Sequence, residues 1–599
     1  MEVMAAEYRS RRGRGPPGPA REARNRFAVA AGLGQTSTMT DQPLIRLDAT
    51  ADATAGTDWR DGVVYQVYPR SFADSDGDGT GDLRGIIDHL DHFAADSLPV
   101  DAIWLSPVFP SPGRDLGYDV SDHAAVDPHL GSEADFDRFV AACHERGLKV
   151  VLDLVMNHTS DEHAWFLASK ASREGPYADF YLWRDPRGFD TDGNPIPPNN
   201  WVSFFGGPGW EWVPERGQFY YHTFLVGQPE LNWRSPAVEA AQWDMVRGWL
   251  ARGVDGFRLD VFNAFLKDPD LRDNPVIEGT SPWNRLEHRH DLDHPDFVDL
   301  IERFRAILDE EPGRMSVGEL FSGGTPAVAR YTRGRHIVFD WSLMESPWTA
   351  AAFAAGIDLR EAAYGPDLWP TIALSNHDRE RQATRLAQSV GRDRDPDHDA
   401  IAKAAAVLIL ATRGAPFLYY GEEIGMLDVD IPRDEVVDPP ALRAGPDFPW
   451  YDRSRCRTPM QWTAAEGAGF TTGRPWLRVA PDATVRNVAG QAEDADSVLA
   501  AYRRLLTYRR TAPALRRGGM ARLESGSPDV LAWTRTGDDQ RVLVVVNFVG
   551  EPRRIDVGAL DGGGWAARIG SHREPATVGP DGVLELRADE AVILEVGEA

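Results

Sequence analysis

From Trp59 onward two hydrophobic patterns alternate along the chain. Short β-branched or aromatic runs recur at residues 63–68, 102–105, 149–154, 254–259, 315–317, 336–339, 371–374 and 416–419. Between most of them lie stretches with apolar positions at helical spacing, such as 133–146, 236–252 and 295–310. Strand alternating with helix predicts a parallel sheet. Eight such units predict an α/β fold closed as a (β/α)8 barrel, with active groups at the C-terminal ends of the strands.

Two intervals are too long for plain loops. Residues 163–231, between the third and fourth strands, are rich in Trp, Phe, Tyr, Pro and Gly, and read as a small inserted domain over the barrel mouth. Residues 427–477 form a second Pro- and Trp-rich excursion after the eighth strand. Past about residue 517 the pattern turns to strand and turn (530–534, 542–548, 583–586, 591–596), as expected of a small antiparallel sandwich. The expected partition is a disordered tail at 1–58, a barrel at 59–162 and 232–516, the insert at 163–231 and an all-β domain at 517–599. The tail carries Arg9, Arg11, Arg12, Arg14, Arg21, Arg24 and Arg26 among Gly, Pro and Ala, and Met39 offers a later start.

Composition narrows the function classes. With 599 residues, 42% hydrophobic and 26% charged, the chain is of globular type and long enough for more than one domain. A formal net charge of −28 argues against nucleic acid or an acidic membrane as partner, since both need basic patches. It suits a small neutral substrate. The 2 cysteines, Cys143 and Cys456, rule out a disulfide scaffold. No apolar run spans a bilayer, and the cytoplasm is the expected compartment.

What terminates each strand carries the chemistry. The third run leads into Asp153-Leu154-Val155-Met156-Asn157-His158, the fourth into Asp260, the fifth into Gly318-Glu319, and the seventh into Ser375-Asn376-His377-Asp378. Carboxylates and histidines thus gather at one rim of a barrel, where stability does not require them. Along a strand Arg258 and Asp260 point the same way, so the arginine favours an ionised Asp260. Three carboxylates in one pocket suit acetal chemistry, in which a carboxylate attacks the anomeric carbon and a protonated carboxyl serves the leaving oxygen. Asp260 is read as the nucleophile, Glu319 as the acid with a raised pKa, and Asp378, His158 and His377 as partners for sugar hydroxyls.

Together Asp153-x4-Asn157-His158, Gly256 to Asp260, Gly318-Glu319 and Asn376-His377-Asp378 resemble the four ordered motifs of the α-amylase superfamily, glycoside hydrolase family 13. Gln228-Pro-Glu-Leu-Asn232 resembles a further motif at the end of that family's inserted domain. Val64 to Phe72, and Arg457-Thr-Pro-Met-Gln-Trp462, resemble its α-glucosidase and oligo-1,6-glucosidase branch. The resemblance implies a retaining double displacement through Asp260, Glu319 and Asp378. It also implies that Tyr118, Asp119, His158, Phe224, Arg258, His377 and Arg381 surround a terminal glucose, with an Asp and an Arg on the 4-hydroxyl selecting chain ends.

A second constellation is Asp74-Ser-Asp76-Gly-Asp78-Gly-Thr80-Gly-Asp82. Asp74, Asp76, Asp78, the Thr80 carbonyl and Asp82 could wrap a hard cation, although Gly85 stands where an EF-hand carries its bidentate Glu. An acidic surface turn is the plain alternative; the resemblance implies a structural Ca2+. Val261 decides linkage in the resemblance, where valine after the nucleophile accompanies α-1,6 preference. Strict alternation would instead bury it in the barrel wall. The expected activity is an exo-acting α-glucosidase. The rivals are a transglycosylase or isomerase of the same family, such as a trehalose synthase or sucrose-acting enzyme, and a non-catalytic transporter heavy-chain-like barrel. The last needs a transmembrane helix and lost carboxylates.

Overall fold

Eight parallel strands, Val64–Val67, Ala102–Leu105, Lys149–Leu154, Gly256–Leu259, Met315–Gly318, His336–Val338, Thr371–Ile372 and Ala415–Tyr419, form one sheet whose first strand pairs with both the second and the eighth. The computed structural model describes residues 59–321, 324–332, 336–392, 398–444, 452–537, 539–561 and 564–596. The expected N-terminal tail lies outside them. The barrel closes between the sixth and seventh strands through a side chain. Thr371 Oγ1 donates to Val338 O at 3.0 Å and accepts from Asp340 N at 2.9 Å.

Alternation along the strands explains the layers. Val64, Ala102, Trp104, Val151, Met315, Val317, Ile337, Phe339, Ala373, Ala415 and Phe417 form one cluster, the barrel interior. The intervening positions, among them Tyr65, Ile103, Leu152, Phe257 and Leu418, belong to the larger core shared with the helices. Helix Glu133–Glu145 starts at a capping box, Ser132 with Asp135, and Pro236 opens helix Pro236–Ala251 where no backbone donor is needed.

Register levels the strand ends. Leu154 pairs with Leu259, and Leu259 with Gly318. Asp260 N then donates to Leu154 O at 3.0 Å, and Glu319 N to Leu259 O at 2.9 Å. Gly318 has a steric reason: a Cβ there would meet the Phe262 ring at 2.5 Å.

The excursion after the third strand carries a three-stranded antiparallel sheet (Trp183–Arg184, Gln218–Tyr221, Trp210–Val213) and a short hairpin (Gly188–Phe189 with Pro195–Ile196). A third long interval, 265–296, was not singled out from the sequence. It docks on the insert: Asn199 Nδ2 donates to Leu271 O at 3.0 Å, Trp201 Nε1 to Arg272 O at 3.0 Å and Asn200 Nδ2 to Asn274 O at 2.8 Å. After the barrel, Gly519–Leu523, Val530–Thr536, Arg541–Asn547, Ala591–Val596 and Trp565–Gly570 lie in that order in one antiparallel sheet. Arg553–Asp556 pairs with Val583–Leu586 in a second, and Ile555, Leu584 and Leu586 share a core with Leu543, Val545 and Leu594 of the first. Among the described residues, no helix is long and apolar enough to cross a membrane.

Candidate active site

Inward positions at the strand ends place Asp153, Arg258 and Glu319 above the interior cluster. Arg258 is buried and serves three carboxylates. Its Nη1 donates to Asp153 Oδ1 at 2.8 Å and to Asp260 Oδ1 at 2.7 Å, and its Nη2 donates to Glu319 Oε2. One guanidinium therefore fixes three carboxyls from three adjacent strand ends. Side-chain exposure rises from 8% at Asp260 through 14% at Glu319 to 30% at Asp378, so the three mark a path from the barrel wall outward.

The electrostatics differ from the sequence expectation for Asp260. Burial pushes Asp260 up to about 7 against the pull of Arg258, and Asp153 and Asp378 add to the rise. Burial likewise raises Glu319 to about 7 and Asp153 to about 6, with Arg258 opposing both. One cation shared among three buried carboxyls is too little to ionise all of them, so Asp260 and Glu319 titrate as a pair that holds one proton near neutral pH.

Asp378 behaves oppositely. Burial disfavours its charge, but His377, Arg453 and Arg457 reverse this and hold it well below the usual carboxylate range. Its Oδ1 accepts from Arg457 Nη2 at 2.7 Å and Arg453 Nη1 at 3.0 Å, and its Oδ2 lies 3.2 Å from His377 Nε2. His377 stacks on Tyr118, centroids 5.2 Å apart. Burial keeps His158 neutral, lowering it to about 3. Its Nε2 lies 3.0 Å from Tyr118 O and 3.2 Å from Gln228 Nε2. Phe224 of the insert lies 5.3 Å from the His158 ring and 5.2 Å from Phe321, which follows Glu319 by two residues.

Two expected residues are turned away from this group. Asp119 Oδ1 accepts from Ser111 Oγ and Asp115 N, and Oδ2 from Arg114 N, so its carboxylate ties its own loop. Arg381 is buried with its guanidinium 4.9 and 4.7 Å from the Tyr419 and Tyr420 rings, and its Nη1 donates to Tyr420 O. An acid–base pair missed in the sequence stands in the pocket instead. Arg453 Nη2 donates to Asp115 Oδ1 at 2.7 Å while its Nη1 holds Asp378. The available signal was local: Asp115 precedes Tyr118 by three residues, and Arg453 precedes Arg457 by four.

Val261 is not a strand residue. The strand ends at Leu259, and Val261 adopts φ 36°, ψ 43°, a left-handed conformation costly for a β-branched side chain. The premise for a wall-packing valine therefore fails. The N–H of the next residue, Phe262, donates to Glu319 O at 3.2 Å.

In the acidic loop, Asp74 Oδ1 accepts from Gly77 N at 2.8 Å, Asp76 Oδ1 from Asp78 N at 3.1 Å and Asp78 Oδ1 from Thr80 N at 2.7 Å. One oxygen each of Asp74, Asp76 and Asp78 lies within 4.8 Å of the others, a donor set that fits a hard cation. Asp82 stands outside that trio: Oδ1 caps helix Leu83–Asp88 through Gly85 N, and Oδ2 accepts from Ser75 N and Oγ. The 427–477 excursion clasps the loop, with Asp74 N donating to Phe470 O at 2.8 Å.

Comparison with known proteins places this geometry. The family model described as the α-amylase catalytic domain matches residues 66–518. The chain belongs to the α-amylase family. Within it, the chain is 39% identical over 538 residues to a probable α-glucosidase of Rhizobium meliloti, covering 86% of this chain and 94% of the relative. It is 35% identical over 554 residues to an oligo-1,6-glucosidase of Heyndrickxia coagulans, covering 87% and 96%. Among solved structures of the α-amylase fold, the α-glucosyl transfer enzyme XgtA superposes with TM-score 0.82 at 40% identity, covering 90% of this chain and 99% of that one. The trehalulose synthase MutB of Pseudomonas mesoacidophila MX-45 superposes with TM-score 0.80 at 33% identity, covering 91% and 100%.

Proposed function

We propose that this α-amylase family member is an exo-acting, retaining α-glucosidase that releases glucose from the non-reducing end of short α-glucosides. The observation that carries this reading is the Arg258 bridge, which holds Asp260 and Glu319 at neighbouring strand ends as a pair with one proton. Asp260 attacks the anomeric carbon while Glu319 gives its proton to the glycosidic oxygen, whose bond to carbon breaks. Glu319 then takes a proton from the water that displaces Asp260. Asp378, kept anionic, and neutral His158 and His377 bind ring hydroxyls, with Tyr118, Arg258 and Phe224 forming the walls. The Asp115–Arg453 pair closes the far end, which selects chain ends over internal units.

Initial rates on maltose, isomaltose, sucrose and trehalose, with the anomer of the first product read by NMR, test this. α-Glucose is expected first, from maltose or isomaltose. β-Glucose first, or no release from any of the four, would refute it. Glucose from isomaltose but not maltose supports Val261 as the linkage-setting residue. A second reading, glucosyl transfer, is favoured by the apolar wall of Phe204, Phe224 and Phe321, whose rings lie 4.6 to 6.3 Å apart beside Glu319. Transfer products outnumbering glucose would select it.

The acidic loop is assigned to a structural Ca2+ held by Asp74, Asp76 and Asp78, with the Thr80 carbonyl, bracing the loop against residues 470–476. Chelation with EDTA is expected to lower Tm by several degrees, restored by Ca2+ but not by Mg2+, with kcat at 25 °C little changed. An unchanged Tm would leave the loop a self-bonded acidic turn. The substrate is a small sugar and no nucleic acid or membrane is a partner, in keeping with the net charge of −28. A cytoplasmic site agrees with Cys143 and Cys456 being buried and not bridged.

A further inference from the structure

A histidine that donates to a substrate or carboxylate must carry its proton on the nitrogen that faces it. His377 Nε2 stands 2.5 Å from Tyr118 Oη and 3.2 Å from Asp378 Oδ2. Asp378 is an anion between Arg453 and Arg457, so a lone pair on Nε2 would face a negative charge. The Tyr118 hydroxyl donates to Asp153 Oδ2 at 3.0 Å, and Asp153 is held from its other oxygen by Arg258. Tyr118 therefore has an acceptor lone pair, and no second proton, for His377. Both neighbours require the proton on Nε2.

That leaves Nδ1 as a bare acceptor in a wholly buried, neutral ring. An unmet acceptor there would be destabilising. Gln66 meets it. Its position on the first strand is inward, two residues beyond Val64, and its Nε2 lies 2.8 Å from His377 Nδ1 and donates to Ser106 Oγ at 3.2 Å. Gln66 itself is buried.

We propose that Gln66 is a positioning residue: by donating to Nδ1 it fixes His377 as the Nε2–H tautomer and sets the direction of a hydrogen-bond chain from Gln66 through His377 and Tyr118 to Asp153. The chain ends on the carboxylate that shares Arg258 with Asp260, so the orientation of one buried amide reaches the reacting pair through four side chains. The effect on turnover rests on the α-glucosidase reading; the tautomer does not.

15N-histidine NMR of the full chain tests it, with the His377 signals assigned by difference from His377→Asn. The wild type is expected to show a protonated Nε2 and a bare Nδ1. Gln66→Glu, which turns the donor into an acceptor of similar size, is expected to move the proton to Nδ1. It should also lower kcat on maltose about 100-fold, with Tm nearly kept. Gln66→Met removes the donor without reversing it and is expected to lose less. A protonated Nδ1 in the wild type overturns the proposal even if no variant folds, as does Gln66→Glu with tautomer and kcat unchanged. A wild type with the expected tautomer but no action on any α-glucoside would sink the glucosidase reading and leave the tautomer assignment standing.

Discussion

Replacing Asp260 by Asn is expected to lower kcat on the order of 10^4-fold or more while the fold survives. The amide cannot form the glycosyl ester, and Arg258 keeps two of its three carboxylate partners, Asp153 and Glu319. Glu319→Gln should lose a similar factor on natural disaccharides, but much less on aryl α-glucosides, whose leaving group needs no proton. That contrast separates nucleophile from acid; equal losses on both substrates in both variants would deny the two roles. The pH profile follows from the shared proton. Asp260 and Glu319 are both raised to about 7 and interact, so the pair gains its second proton below that value and loses its last above it. Only the singly protonated form is competent, which gives a bell centred near neutrality. Glu319→Gln should remove the alkaline limb from its residual activity.

Arg453→Ala carries the second-largest expected effect, a fall of about 10^2- to 10^3-fold in kcat/KM, accompanied by lower stability. Arg453 satisfies Asp115, Asp378 and Asp438 at once, and removing one partner of a buried ion pair typically costs about 3–5 kcal/mol. Arg453→Lys keeps the charge but not the fork, and should recover stability more than activity. Asp115→Asn tests the other half, with KM on disaccharides expected to rise more than kcat falls. Asp119→Asn is the control. Its carboxylate ties its own loop, so Tm should fall while kcat/KM of the folded enzyme stays within a few-fold. A reversed ranking of Asp115 and Asp119 would return the chain-end role to Asp119.

The barrel was legible because its strands are buried on both faces and bounded by helical spacing. All eight runs correspond to strands, with ends shifting by two residues at most. Asp260 and Glu319 were legible for the same reason: a strand end is a fixed place in this fold. Arg453 was not, because it lies in an aperiodic excursion and meets Asp115 across 338 residues of sequence. Asp119 and Arg381 rested on the family resemblance alone, and a resemblance of motifs does not say which way a side chain turns. The 265–296 interval escaped notice because its order comes from contacts with Asn199, Asn200 and Trp201 rather than from any period of its own. Val261 needed the backbone itself; nothing in a valine announces a positive φ.

The seam at Thr371 has a consequence for how the barrel breathes. Among the described residues, no backbone ladder joins the sixth and seventh strands, and one hydroxyl links Val338 O to Asp340 N. Elsewhere each strand has a neighbour on both sides. In amide hydrogen exchange the Asp340 N–H should therefore lose protection before those of Asp260 or Glu319, whose partners are backbone carbonyls. The wall would part beside Asp340, leaving the strand ends that carry the reacting pair the last to open.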